Sequence, residues 1–285
     1  MTSRLTHSAG KFPKSILITG CSSGIGYVAA NVLKTRGYQV FASARQQRDA
    51  ERLTNEGLNA IRLDLTDSQS ISDALKWIFE QTQGQLYALF NNGAYGQPGA
   101  VEDLSREVLR SQFETNLFGW HDLTRRVIPV MRSQGQGRII QNSSVLGLVA
   151  LRYRGAYTAS KFALEGLSDT LRMELHGSGV HVSLIEPGPI ESRFRTNSLI
   201  MAKKHIDMEN SVHRENYKLT VERLEKQGPA VSFTLPPEAV VRRVIHALES
   251  RHPRARYYVT LPTHLFGNLK RLLSSAALDR IARRI

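Results

Sequence analysis

Ser15-Ile16-Leu17-Ile18-Thr19-Gly20-Cys21-Ser22-Ser23-Gly24-Ile25-Gly26 is the stretch whose reading decides the fold. Its first five residues suit a buried strand, the glycines mark a tight turn, and Tyr27 to Lys34 continues with helix formers. Glycine accepts positive φ and lets backbone approach a ligand, while a helix N-terminus offers free N–H groups and a positive dipole end to a pyrophosphate. Gly20, Ser22, Ser23, Gly24, Ile25 and Gly26 are therefore candidate phosphate contacts. A tight turn needs glycine for steric reasons alone, and the spacing departs from G-x-G-x-x-G. What favours a dinucleotide is the turn's place after the first strand of a βαβ series.

Working outward, short apolar or β-branched runs recur at 15–19, 39–43, 60–63, 87–90, 138–141, 180–185 and 257–260, with amphipathic segments such as 71–81 and 156–175 between them. Crossovers of that length fit parallel strands. The expected fold is α/β: a doubly wound, Rossmann-type parallel sheet of about seven strands with helices on both faces, in three layers. Ligands of such sheets bind beyond the carboxyl ends of the strands. Residues 14–285 read as one catalytic domain after a tail at 1–13. A polar, charged insertion at 195–228, followed by Pro236-Pro237, reads as part of a substrate lid over 194–233.

The chain has 285 residues and a formal charge of +13, which suits a phosphorylated ligand, an anionic membrane surface or nucleic acid, and equally a solvated basic exterior. No zinc spacing or RNA-binding aromatic motif supports nucleic acid. No apolar run approaches the roughly 18 residues of a membrane span, and the polar start lacks a signal-peptide core, so the expected location is cytoplasmic. Cys21 is the only cysteine; with no partner for a disulfide or metal site, redox chemistry must come from a cofactor, and no metal is expected.

Thr19 to Gly26 resembles the TGxxxGIG turn of the short-chain dehydrogenase/reductase family. The resemblance runs over about residues 14–192 and continues through Asn91-Asn92-Gly93-Ala94, Asn116, Ser144, Tyr157 with Lys161, and Pro187-Gly188-Pro189-Ile190. The wording TGCSSGIG, SLIEPGPI and PPEAVVRRVIHAL is similar to the retinol and hydroxysteroid dehydrogenase branch and to bacterial NADP-dependent aldehyde reductases. It implies a nicotinamide-dependent oxidoreductase acting on a carbonyl or alcohol, and a homodimer or homotetramer.

A NAD site places a carboxylate at the end of the second strand, on the ribose 2′-hydroxyl. Here Val40-Phe41-Ala42-Ser43-Ala44 leads instead to Arg45, suited to a 2′-phosphate, with Arg48 as its substitute. NADP(H) is favoured over NAD(H), although Ser23 stands where NADP-preferring relatives often carry a basic residue. By resemblance Asp64 and the Leu65 backbone hold the adenine, a helix N-cap being the competing role for Asp64. Asn92 and Gly93 lie beside the adenine ribose, and Pro187, Gly188, Ile190 and Ser192 hold the nicotinamide carboxamide.

Tyr157 and Lys161 lie one helical turn apart and project from one face. Carbonyl reduction needs a proton donor as hydride arrives, and the reverse oxidation needs phenolate, which an adjacent ammonium stabilises. The resemblance adds that Lys161 binds the nicotinamide ribose, that Asn116 holds a water linked to the lysine, and that Ser144, with Ser143 as rival, bonds the substrate oxygen. Leu199, Ile200 and Met201, with a helix over 209–226, suggest an apolar lid over an aliphatic, retinoid-like or steroid-like carbonyl. A basic amphipathic helix over 264–285 can pack on the protein, on a subunit, or on anionic lipid. Rival readings are a non-catalytic NADP(H) sensor and a sugar-nucleotide epimerase-like enzyme, whose branch carries a different glycine spacing.

Overall fold

The computed structural model describes residues 14–283 apart from 227, 229 and 230, so the expected tail at 1–13 lies outside the described residues. Seven strands, β1 (Ser15–Ile18), β2 (Gln39–Ala44), β3 (Asn59–Arg62), β4 (Ala88–Asn91), β5 (Gly137–Asn142), β6 (Val180–Glu186) and β7 (Arg256–Tyr258), form one sheet in the order β3-β2-β1-β4-β5-β6-β7. Every adjacent pair is parallel. The order reverses between β1 and β4, and at that point the crossovers diverge to opposite faces and open a crevice.

Alternation along β1 builds both layers at once. Ile16 and Ile18 point into a core shared with Leu33 of α1 (Gly24–Thr35) and Leu53 of α2 (Gln47–Asn55), whereas Leu17 enters the opposite core with Ile71 of α3 (Ser68–Gln81). In that second core α4 (Arg106–Phe113) runs through a π-helical turn, Glu114–Phe118, into α5 (Gly119–Ser133), which contributes Trp120, Leu123 and Val127, and α6 (Gly155–Glu174) contributes Leu164. Each fully buried Leu or Ile stabilises by about 1.5–3 kcal/mol, so a strand apolar on both faces is held by both layers.

Residues 194–233 carry α7 (Phe194–His205) and α8 (Arg214–Glu225). The sequence expected helix from residue 209, but Asn210 bonds back to Asp207 through its backbone N–H (3.3 Å) and its amide (2.8 Å), making a turn that delays the helix. After Pro237 comes α9 (Glu238–Glu249), packed on α1 through Val240 and Val244.

At the C-terminus the single helix expected over 264–285 is two. α10 (Leu261–Leu272) ends at an extended Leu273, and α11 (Ser275–Ala282) restarts with Ser274 Oγ accepting from Ala277 N. β7 gives up the expected 259–260 because Thr260 instead precedes α10 as its N-cap residue. No helix among the described residues is long and apolar enough to cross a membrane.

Candidate active site

A cleft of about 830 Å³ opens along the carboxyl ends of the strands, lined by Ser22, Ser23, Asn92, Ser144, Tyr157, Lys161 and Gly188 among others. Its floor is the glycine turn after β1. Gly20 and Gly24 have φ of +72° and +60°, and a Cβ on Gly20 would lie 2.5 Å from Gly93 Cα. On Gly26 a Cβ would meet the Gly20 carbonyl oxygen and stand 2.7 Å from Asn92 Nδ2. Ser23 precedes α1 in extended conformation without a side-chain cap, which leaves first-turn N–H groups for an anion. Cys21 faces the other way. Its buried thiol donates to Ile18 O at 3.2 Å, and burial pushes it up to about 12, so it is no nucleophile.

The turn is braced by Thr19 and Asn92, which the sequence singled out, and by Arg52 and Asn142, which it did not. Arg52 Nη2 donates to the Ser22 carbonyl oxygen at 2.7 Å while Nη1 pairs with Glu56 at 2.7 Å. Thr19 Oγ1 accepts from the backbone N–H groups of Asn92 (2.8 Å) and Gly93 (2.9 Å). Asn92 Nδ2 donates to Thr19 O at 3.0 Å, and Asn92 Oδ1 accepts from Asn142 Nδ2 at 2.8 Å. Asn92 thereby ties the ends of β1, β4 and β5 together.

Arg45 stands exposed just beyond β2 and Arg48 exposed in the first turn of α2, and neither has a hydrogen bond or ion pair among the described residues. Arg45 lies near enough for its charge to act on Tyr95, which stands between the cleft-lining Ala94 and Gly96. Asp64, beyond β3, accepts from the Thr66 N–H at 3.0 Å and hydroxyl at 2.8 Å. Its competing role as a helix cap is taken by Asp67, which accepts from Gln69 N at 2.9 Å. The Leu65 carbonyl oxygen meets α5 where only Gly119 fits.

At the end of β5 the two serines part. Ser143 Oγ donates to Glu165 Oε1, whereas Ser144 Oγ accepts from Leu146 N at 3.1 Å and acts on Tyr157. Tyr157, half-buried, packs edge-on against Phe194 of α7 at 5.2 Å between ring centroids. Lys161 is 1% exposed and donates from Nζ to the Asn142 carbonyl oxygen at 2.7 Å. Nζ also sits 4.2 Å from the Trp120 ring centroid and 5.6 Å from that of Tyr157.

In this arrangement Lys161 Nζ is bonded to the Asn142 carbonyl oxygen and lies over the Trp120 ring. Burial pushes Tyr157 up to about 12, opposed only by Ser144, because the ammonium is directed at Asn142 and Trp120. Lys161 is itself brought down to about 7 by burial, with Glu165 acting against that.

Asn116 sits in the π-helical turn, fully buried, where Nδ2 donates to Tyr95 O at 2.9 Å and Oδ1 accepts from Tyr95 N at 3.3 Å. Single π turns of this kind recur at functional sites. After β6, Pro187 O accepts from Val145 N at 2.8 Å, and Ile190 bridges to Leu235. Gly188 has no room for a Cβ against Thr260 Oγ1, and Ser192 Oγ accepts from Phe194 N at 3.3 Å at the entry to α7. All of the expected phosphate-turn, nicotinamide-loop and Ser-Tyr-Lys residues except Gly26 line this one cleft; Arg45, Asp64, Leu65 and Asn116 stand outside its wall.

The sequence profile described as short chain dehydrogenase matches residues 14–202. The chain is 44% identical over 283 residues to "Uncharacterized oxidoreductase YbbO" of Escherichia coli strain K12, covering 97% of this chain and 99% of that protein. It is 34% identical over 267 residues to "17-beta-hydroxysteroid dehydrogenase type 6" of Rattus norvegicus, covering 89% and 82%. A solved short-chain dehydrogenase from Streptomyces avermitilis superposes with a TM-score of 0.76 at 25% identity over 95% of this chain and 94% of that one. The chain belongs to the short-chain dehydrogenase family and is an oxidoreductase with hydroxysteroid-dehydrogenase-like relatives.

Proposed function

We propose that this chain is an NADP(H)-dependent carbonyl reductase, or alcohol dehydrogenase in reverse, whose proton donor is Tyr157. The observation that carries the reading is Tyr157 at the cleft wall beside Ser144, one turn from the buried Lys161. A bound nicotinamide supplies or accepts the hydride. Ser144 donates to the substrate oxygen and holds it at the Tyr157 hydroxyl, which gives up its proton as that oxygen gains charge. Lys161 holds the nicotinamide ribose and returns a proton to Tyr157 through water at Asn116. The glycine turn, with no room for side chains at Gly20 and Gly26, suits close approach of a pyrophosphate, and Arg45 with no carboxylate at the end of β2 suits a 2′-phosphate. Asp64 and Leu65 hold the adenine, and residues 187–192 the carboxamide.

Leu146, Leu151, Phe194 and Leu224 give the cleft an apolar wall, which supports an aliphatic, retinoid-like or steroid-like carbonyl beneath a lid formed by α7 and α8. We take residues 14–285 as one catalytic unit, at work in the cytoplasm as a homo-oligomer. Leu265 and Leu272, 52% and 80% exposed on α10 beside Lys270 and Arg271, give it an apolar, basic edge for peripheral contact with anionic lipid. NADPH and NADH oxidation followed against a panel of aliphatic, isoprenoid and steroid carbonyls tests the reading. NADPH turnover with at least one apolar aldehyde is expected; binding of NADPH without turnover of any carbonyl would favour a sensor and overturn it.

A further inference from the structure

Tyr157, Lys161, Glu165 and Asp169 follow one another at one-turn intervals along α6, a polar stripe running from the cleft toward the surface. Glu165 has no part in the reaction as described, yet it is 6% exposed and held from two sides. Ser143 Oγ donates to its Oε1, and Arg256 Nη2 on β7 donates to its Oε2 at 2.9 Å. Arg256 also grips Asp169 at 2.9 and 2.8 Å and stands 3.2 Å from Glu186 Oε1 on β6. Both Glu186 oxygens are buried without a hydrogen-bond partner among the described residues, and burial pushes that carboxyl well above the usual carboxylate range, with Arg256 acting against it. Tyr258 of β7 and Lys270 of α10 also feel this cluster.

The titratable groups that face one another here are Arg256, Asp169, Glu165, Glu186 and Lys161, with Tyr258 and Lys270 at the edge. Arg256 is shared between its two-point pair with Asp169 and its contact with Glu165, and Glu165, buried one helical turn from Lys161, is the α6 carboxylate that faces a lysine pushed by burial toward its neutral form. Burial pushes the Glu165 carboxyl up, and the bonds from Ser143 and Arg256 act against that.

We propose that Glu165 is a positioning residue for this enzyme: clamped by Ser143 and Arg256, its carboxylate keeps the Lys161 ammonium charged. The inference rests on the proposed roles of Tyr157 and Lys161. It assigns Ser143, the serine that does not face Tyr157, to the clamp.

The test is the alkaline limb of the pH profile of kcat/KM for NADPH-dependent carbonyl reduction, which reports ionisations of the free enzyme. Glu165→Gln is expected to move that limb about one pH unit lower, the low end of the effect of a charge one turn away. Glu165→Asp restores most of the shift, and Ser143→Ala, which leaves the carboxylate in place, moves it the same way by less. An unchanged limb in both Glu165→Gln and Ser143→Ala, each folded by thermal melt, overturns the inference. So does an equal shift in Glu165→Asp and Glu165→Gln. Should Glu165→Gln not fold, the Ser143→Ala limb decides alone. Full activity in Tyr157→Phe would instead strike the underlying reading, and the two failures are thereby separate.

Discussion

Lys161 Nζ lies 2.7 Å from the carbonyl oxygen of Asn142 and 4.2 Å from the Trp120 ring, so the last residue of β5 and a helix on one sheet face hold the cation between them. The pocket brings the lysine down to about 7 from an ordinary 10.5. The unfolded chain therefore binds more protons at this site than the native one between those values, and stability from this group rises with pH across that window. Thermal melts of wild type and Lys161→Met from pH 7 to 10 should show the difference between them growing in favour of wild type; a constant difference would mean the lysine keeps its ordinary range.

Arg45 is the residue to which the proposed function assigns the choice between cofactors. Arg45→Ala should raise KM for NADPH by about tenfold or more, the worth of a charge-assisted hydrogen bond of about 1.5–3 kcal/mol, and leave KM for NADH nearly unchanged. Equal effects on both cofactors would assign 2′-phosphate recognition elsewhere, with Arg48 next in line.

Gly26 is a position where space rules. Its Cβ would meet the Gly20 carbonyl oxygen and stand 2.7 Å from Asn92 Nδ2. Since both neighbours are held by the β1–β4–β5 tie, Gly26→Ala should destabilise by about 1–3 kcal/mol and weaken dinucleotide binding. Chemical denaturation and fluorescence titration with NADPH measure the two effects.

The adjacent serines give a paired contrast. Ser144→Ala should lower kcat by about 10²–10³, the usual loss of one oxyanion donor. Ser143→Ala should lower kcat only slightly, because its hydroxyl is committed to Glu165. Similar losses in both would contradict the division of roles.

The sheet and its first turn were legible because their signals are local. Ile16, Leu17 and Ile18 are apolar in succession, as a strand buried on both faces must be, and the glycines answer close contacts between neighbouring turns. Tyr157 and Lys161 were paired by their helical spacing, whereas Ser144 was preferred to Ser143 by its resemblance to the family's serine. The rest depended on partners distant in sequence. Arg52 braces the glycine turn across 30 residues, and Arg256 reaches Glu165 across 91, so no spacing rule pointed to either. The break between α10 and α11 was hidden because Leu272 and Leu273 continue the apolar pattern, while the stop lies in the extended Leu273 and the Ser274 cap. Asn142 went unread as a lysine partner because its backbone carbonyl, which any residue carries, makes the contact.

The most direct test of the account is the Tyr157→Phe enzyme, which keeps the ring packed on Phe194 and loses only the hydroxyl. With NADPH and a carbonyl that wild type reduces, kcat should fall by about 10²–10⁴, the worth of a positioned proton donor, while NADPH affinity and melting temperature stay close to wild type. Turnover at the wild-type rate would contradict the assignment of Tyr157 as the proton-transferring group.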